Sequence, residues 1–413
     1  MEILRARIVL PVTAPPLADG AVAISGGVIR GVGPWPDIRR AFAGPVRDLG
    51  EVVLLPGLVN AHCHLDYTDM AGMIPPRRHF TDWIQSIVTL KASWSSAEFS
   101  RSWQRGARML LRNGITTVGN IEALKDLLVE TLPAPMRMVL FHELINLRDQ
   151  VPPEVQVAGA VERLREQAAA RRHPGLSPHA PYTTTPALLR AVGEAARTTG
   201  WPVTMHVAES AEEDAMIRHA TGTMYDWLKG QRDVSDCGQL SPVALVAAAG
   251  LLNPGFLAVH ANCVDAADIA LLANSGCGVV HCPRSHDYFQ HPPFPLAALR
   301  AAGVNVCLGT DSLASVTQSR GEVLELDLFA ELRMLRQKHP GLDPATQLEM
   351  VTVNGARALG LAGMTGALEI GLAADVLALP YGGAVAHATE AAVHHSGSTG
   401  PVFLGGERVA PAP

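Results

Sequence analysis

The sequence predicts a (β/α)₈ TIM barrel with a small β-sandwich built from both ends of the chain. Two observations indicate the barrel: apolar runs that end in polar residues recur along the chain, and amphipathic helical patterns lie between most of them. The runs are residues 58–64, 116–122, 136–146, 175–182, 202–210, 255–265, 276–286 and 305–312. Eight such repeats are most simply arranged as a closed barrel, whose active site gathers at the carboxyl ends of the strands.

Helical patterns separate the predicted strands. They cover residues 100–114, 186–200, 265–276 and 295–303. Several of them close on a glycine, which is the residue preferred just after the end of a helix. Strands that are apolar throughout and alternate with such helices are typical of a parallel sheet that is buried on both faces.

The two ends of the chain indicate a second unit. The chain has 413 residues, whereas a plain barrel of this kind needs about 250. Residues 1–55 and 365–405 both show short strand patterns with glycine turns. We therefore predict a composite β-sandwich domain from residues 1–55 plus 360–413, and a barrel domain from residues 56–359.

Composition excludes several classes of partner. The net charge is −6, only four residues are lysine, and no basic run occurs, so we expect no nucleic-acid partner. We find neither an 18-residue apolar span nor a signal segment, so we expect a cytoplasmic protein without a membrane partner. The six cysteines lack CxxC spacing and are interpreted as small core residues. The sequence leaves the oligomeric state open, a homo-oligomer included.

Polar residues at the strand ends indicate a metal site. His62 and His64 share one face of the first strand because side chains alternate along a strand. By themselves they are weak evidence, since such pairs also arise by chance on surface strands. His206 follows the fifth strand and Asp311 follows the eighth, where an unpaired acid would be costly to bury. Three imidazoles and one carboxylate suit a divalent metal of zinc or ferrous type. The role of His260, after the sixth strand, stays undecided on these grounds.

Five motifs carry a resemblance to a known family: PGLVNAHCH, SPHAPYTTTP, HVAES, HANCVD and LGTDS, in this order. The chain resembles the amidohydrolase superfamily over almost its whole length, in the branch of aminohydrolases and chlorohydrolases that act on purine-like and triazine-like rings. The resemblance implies that Glu209 is the proton shuttle, that His260 holds the attacking water and that His179 contacts the substrate ring. It also implies four metal ligands: His62, His64, His206 and Asp311.

The resemblance also sets expectations for the metal and the reaction. No lysine lies near the ends of strands three to five, so the bridging carbamylated lysine of binuclear relatives is missing. We expect one divalent ion per chain, with zinc favoured and iron as the alternative. Asp311 would also accept a proton from the attacking water, and Glu209 would protonate the ring nitrogen next to the attacked carbon.

Two segments are candidates for substrate recognition. Residues 60–88 resemble the corresponding segment of aminodeoxyfutalosine deaminases, and Trp83 within it could stack on a heteroaromatic ring. Arg77, Arg78 or Arg284 could pair with a substrate carboxylate, although Arg77 and Arg78 fit a solvated turn equally well. The loop 284–291, with Arg284 and His286, either recognises substrate or forms a rigid cover over the barrel mouth.

The predicted function is a metal-dependent hydrolase of carbon–nitrogen bonds other than peptide bonds. It would deaminate an aminated purine-type ring on a small heterocyclic molecule, with 6-amino-6-deoxyfutalosine as the leading substrate. Adenosine, methylthioadenosine and S-adenosylhomocysteine are alternatives, and a chlorohydrolase or cyclic amidohydrolase would use nearly the same site. A further alternative is a barrel without catalytic activity that serves as a binding or assembly protein. The complete set of candidate metal ligands, together with Glu209, argues against it.

Overall fold

The chain begins with five strands. The computed structural model describes residues 1–75, 78–124, 136–147, 151–318, 321 and 323–409. The first five strands are β1 (Glu2–Val9), β2 (Leu17–Ser25), β3 (Val28–Pro34), β4 (Val46–Asp48) and β5 (Val52–Pro56). β1 pairs antiparallel with β2 and parallel with β4 and β5. One residue separates β5 from the barrel that follows.

Eight parallel strands form the barrel. They are β6 (Leu58–Cys63), β7 (Ile115–Glu122), β8 (Arg137–Leu144), β9 (Arg172–Pro178), β10 (Val203–Val207), β11 (Phe256–His260), β12 (Gly278–His281) and β13 (Asn305–Leu308). They pair in sequential order from β6 to β13. The last strand returns to the first, because the amides of Thr310 and Asp311 donate to the carbonyl of His62 at 3.1 and 3.2 Å. The predicted fold class is therefore confirmed.

Most of the helices connect barrel strands, whereas the first and the last of them lie between strands of the terminal sheet. Those described are α1 (Trp35–Ala41), α2 (Phe80–Ser93), α3 (Ser96–Arg112), α4 (Pro153–Gln167), α5 (Pro186–Thr199), α6 (Ala211–His219), α7 (Gly222–Leu228), α8 (Pro242–Ala248), α9 (Ala266–Ser275), α10 (Pro283–Phe289), α11 (Leu296–Ala301), α12 (Leu328–Lys338), α13 (Pro344–Met350), α14 (Val353–Ala358) and α15 (Ala388–Val393). α5 and α9 end at Gly200 and Gly276, whose φ angles of 73° and 70° are left-handed, as the glycine pattern predicts. None of the described helices is long and apolar enough to cross a membrane.

The chain returns to the first sheet through its last strands. These are β14 (Val376–Pro380), β15 (Val402–Leu404) and β16 (Glu407–Val409). β14 pairs antiparallel with β5, so both ends of the chain share one mixed sheet. Arg137 of β8 donates to Asp375 at 3.2 Å, and both side chains are almost fully buried, which links sheet and barrel. The exact domain boundaries remain predictions.

Candidate metal and catalytic site

The four predicted ligands meet at the carboxyl edge of the barrel. His64 Nε2 lies 3.4 Å from His206 Nε2, and Asp311 Oδ1 lies 3.6 Å from His62 Nε2 and 3.8 Å from His64 Nε2. One atom each of His62, His64 and Asp311 falls within 4.8 Å of the others, and the same holds for His62, His206 and His260. Four strands that are distant in sequence thus bring their ends to one point.

The donor atoms of this cluster fit a divalent cation. Both ring nitrogens of His62 and Nδ1 of His64 are buried without a hydrogen-bond partner. His206 Nδ1 donates to the carbonyl of His179 at 2.9 Å, which leaves its Nε2 lone pair facing the cluster. Burial, followed by the neighbouring His62, lowers the pKa of His206 to about 4 and that of His64 well below its ordinary value. Neutral imidazoles are the form that binds a metal.

Two serines that the sequence reasoning missed hold Asp311. Its Oδ2 accepts from Ser285 Oγ at 2.7 Å and from Ser315 Oγ at 3.0 Å, which leaves Oδ1 for the cluster. Burial by itself would raise the pKa of Asp311, but the facing imidazoles, with His62 foremost, hold it well below its ordinary value. Ser285 lies between Arg284 and His286, in the loop that the sequence makes a candidate for substrate recognition, but the sequence does not indicate a role for Ser285 itself.

Glu209 and His260 stand next to the cluster. Glu209 Oε1 lies 3.5 Å from His260 Nε2. Burial raises the pKa of Glu209 well above its ordinary value, and the carboxylates of Asp311 and Glu213 add to the rise. His260 and Asp311 have φ angles of 75° and 51°, a left-handed conformation that residues with side chains seldom adopt. Backbone strain of this kind is typical of functional sites.

Glu213 holds the backbone on which Glu209 is mounted. Its two carboxylate oxygens accept from the amide of Ala208 at 3.0 Å and from the amide of Glu209 at 2.7 Å. Glu213 is itself fully buried, at the third position of α6, and its amide donates to the helix cap Ser210. The sequence reasoning missed this residue, because an acid in the first turn of a helix is commonly just a favourable charge there.

A cavity opens beside these residues. Its empty volume is about 960 Å³, part of it open to solvent, and His64, His206, Glu209, His260 and Asp311 form its floor. The cavity walls are mainly apolar and aromatic, including Phe80, Trp83, Trp227 and Phe289. Such a shape suits a flat organic ring with a larger substituent.

Two of the four predicted substrate-binding residues line the cavity, Trp83 and His179. Trp83 packs edge to face on Phe289, with ring centroids 5.0 Å apart, and its buried Nε1 has no hydrogen-bond partner. His179 Nδ1 is held by Thr183 Oγ1 at 2.7 Å. Both rings are therefore oriented by their surroundings at the cavity wall.

The structure does not bring the other two to the cavity. The Arg284 guanidinium donates to the carbonyl of Glu325 at 2.9 Å and lies 3.8 Å from the buried carboxyl group of Glu331. His286 Nε2 pairs with the carbonyl of Pro292 at 2.8 Å.

One of the two neighbouring arginines can be placed relative to the cavity. Arg78 is exposed and does not line it, and Arg77 lies outside the described residues.

Comparison with known proteins gives matches along most of the chain. The profile of the amidohydrolase family matches residues 53–409. A 5-methylthioadenosine/S-adenosylhomocysteine deaminase of Moorella thermoacetica is 31% identical over 387 residues, covering 89% of this chain and 83% of that protein. An aminodeoxyfutalosine deaminase of Deinococcus radiodurans is 31% identical over 358 residues, covering 83% and 82%.

A solved structure matches the fold. The crystal structure of an adenosine deaminase from Xanthomonas campestris with bound zinc has a TM-score of 0.83 and 28% identity, and the match covers 98% of this chain and 92% of that one. Profile, relatives and fold agree with the resemblance that the strand-end motifs indicate. The chain therefore belongs to the amidohydrolase family, as a hydrolase that acts on carbon–nitrogen bonds other than peptide bonds.

Proposed function

We propose that this chain is a metal-dependent deaminase of adenine-type nucleosides, which releases ammonia from the purine ring. The observation that carries the proposal is the cluster of the His62, His64 and His206 imidazoles and the Asp311 carboxylate, set beside a buried Glu209 that lines one cavity. The names of the two relatives and of the similar structure, all deaminases of adenine-type nucleosides, support the same reaction.

In this proposal the cluster holds one divalent ion, with zinc as the favoured metal and iron as the alternative. His62, His64, His206 and Asp311 are its ligands. A divalent ion there would supply Lewis acidity that lowers the pKa of water toward about 7. The zinc in the similar crystal structure supports this choice of metal. Elemental analysis of fully active protein should find one ion per chain, and two ions would contradict the proposal.

The chain's own residues divide the proton transfers. Asp311 accepts a proton from the attacking water, and His260, which is 3.5 Å from Glu209, orients that water. Burial raises the pKa of Glu209 well above its ordinary value, which favours the protonated form, and Glu209 donates this proton to the ring nitrogen next to the attacked carbon. The exocyclic amine takes the proton held by Asp311 and leaves as ammonia. The hydroxyl proton of the intermediate returns to Glu209, so water is consumed, a carbonyl remains and both carboxyl groups are restored.

The substrate we favour is 6-amino-6-deoxyfutalosine, followed by S-adenosylhomocysteine, methylthioadenosine and adenosine. Support comes from the Deinococcus radiodurans relative and from an aromatic cavity large enough for a nucleoside with a substituent. Trp83 and His179 would contact the ring. The test is ammonia release from these four compounds, set beside chloride release from chlorotriazines. Chloride release without ammonia release would refute the deaminase.

Glu209→Gln separates chemistry from binding. The amide keeps the size of the side chain but cannot deliver the proton, so turnover should fall at least about 10²-fold. Metal content and the unfolding transition should stay as in the unchanged protein, because Glu209 is not among the proposed ligands. Near-normal turnover of this variant on a good substrate would remove Glu209 from the mechanism.

A further inference from the structure

One side of the cavity carries an ammonium group. α2 turns a stripe of residues toward the cavity at helical spacing, and the stripe is apolar until its last member, Lys91. Among the described residues that line the cavity, Lys91 is the one lysine or arginine. An ammonium group on a wall that is otherwise largely aromatic and aliphatic is costly to desolvate unless it is paired.

Lys91 is held in place through an aromatic ring. Its Nζ lies over the ring of Tyr67, 4.9 Å from the centroid. The same ring stacks on His64, with centroids 5.1 Å apart and an angle of 6° between the planes. Tyr67 thus contacts both the ammonium and a proposed metal ligand, which fixes the charge relative to the reaction centre.

None of the described carboxylates is in direct contact with this ammonium. Within the described part of the chain, no carboxylate oxygen lies within 4.0 Å of Lys91 Nζ, although Lys91 is near enough to oppose the burial that raises the pKa values of Asp66 and Glu143. Glu143 lines the same cavity. The ammonium therefore keeps hydrogen-bond donors free for a ligand.

Arg78 and Arg284 do not compete for such a ligand. Arg284 is engaged by Glu331 and by the carbonyl of Glu325, and the exposed Arg78 does not line the cavity. An anion that enters with the substrate meets the charge of Lys91.

We propose that Lys91 binds a carboxylate on the part of the substrate remote from the purine ring. The inference rests on the proposed deaminase function and narrows it to adenine nucleosides that carry an acidic substituent. Two sources share this chemistry: the benzoate of aminodeoxyfutalosine and the amino acid of S-adenosylhomocysteine. If the substrate is S-adenosylhomocysteine, its ammonium group would pair with Glu143, which lines the same cavity.

The test compares kcat/KM for these two acidic nucleosides with kcat/KM for methylthioadenosine and adenosine. In Lys91→Met, which keeps the length of the side chain without its charge, the acidic-to-neutral ratio should fall about 10- to 100-fold, mainly through KM. Lys91→Arg should have an acidic-to-neutral ratio close to that of the unchanged protein. Lys338→Met, on an exposed lysine paired with Asp287, is the matched control and should leave the ratio unchanged.

The outcomes separate the two proposals. A ratio that falls for one acidic substrate and not for the other identifies the source of the carboxylate. No change in kcat/KM, or an equal fall in kcat/KM for all four nucleosides, would overturn the role of Lys91 and leave the deaminase proposal intact. An equal fall would make Lys91 a counter-ion for Asp66 and Glu143. If the unchanged protein deaminates none of the four, the proposed function and this inference fall together.

Discussion

Glu213 offers a sharp test of how the site is built, because its carboxylate supports Glu209 without taking part in the reaction. Its two oxygens accept from the amides of Ala208 and Glu209 at 3.0 and 2.7 Å. Ala208 has a φ of 52°, an unfavourable conformation that these hydrogen bonds help to hold. In Glu213→Gln one of the two amides must face an NH₂ group, and in Glu213→Ala both amides lose their acceptor.

The expected losses follow from the number of orphaned donors. A buried N–H without a partner costs about 1–3 kcal/mol, so Glu213→Gln should lower the free energy of unfolding by that amount. Glu213→Ala should lower it by about 2–6 kcal/mol, which is a large part of the total for a typical domain. Displacement of Glu209 by about 1 Å should reduce kcat of Glu213→Gln by up to about 10²-fold.

Urea unfolding and steady-state kinetics on the same preparations measure both effects. Asp214→Asn is the matched control, since this neighbouring acid on α6 pairs with Arg218 near the surface, and it should change stability by no more than about 0.5 kcal/mol. Glu209→Gln should lower kcat without lowering stability. Normal stability and normal kcat in Glu213→Gln would refute the positioning role.

Three further outcomes are expected. His206→Ala should lose both metal and activity, measured by elemental analysis, because its Nε2 faces the cluster; a variant that keeps a full equivalent of metal would contradict the ligand assignment. Burial raises the pKa of Glu122 from 4.5 to about 7, so the folded state binds more protons and the free energy of unfolding should fall as pH rises across this interval; Glu122→Gln should flatten that fall, and an unchanged slope would contradict it. Asp375→Ala leaves Arg137 buried without its partner and should cost about 3–5 kcal/mol in urea unfolding, whereas a loss below about 1 kcal/mol would show that the pair does not stabilise the joint between sheet and barrel.

Much of the fold could be predicted from the sequence because the signals are local. Continuous apolar strands, helices that close on Gly200 and Gly276, and polar residues at each strand end follow from side-chain alternation and helix periodicity. Parallel strands in a barrel have their carboxyl ends at one edge. The sequence therefore predicts that His62, His64, His206 and Asp311 lie close together there. The structure brings them within a few ångströms.

What the tertiary structure alone decided concerns side chains whose partners are distant in sequence. The sequence makes Arg284 a candidate for binding a substrate carboxylate, and only the packed chain shows its guanidinium 3.8 Å from the carboxylate of Glu331, which is 47 positions away. The sequence does not mark Lys91 as a binding residue, except that lysine is rare in this chain. Whether a helix turns a residue toward a cavity depends on how that helix packs. Local patterns specify strands and their ends, whereas the pairing of buried charges depends on the whole packed chain, since each buried charge must find a partner there.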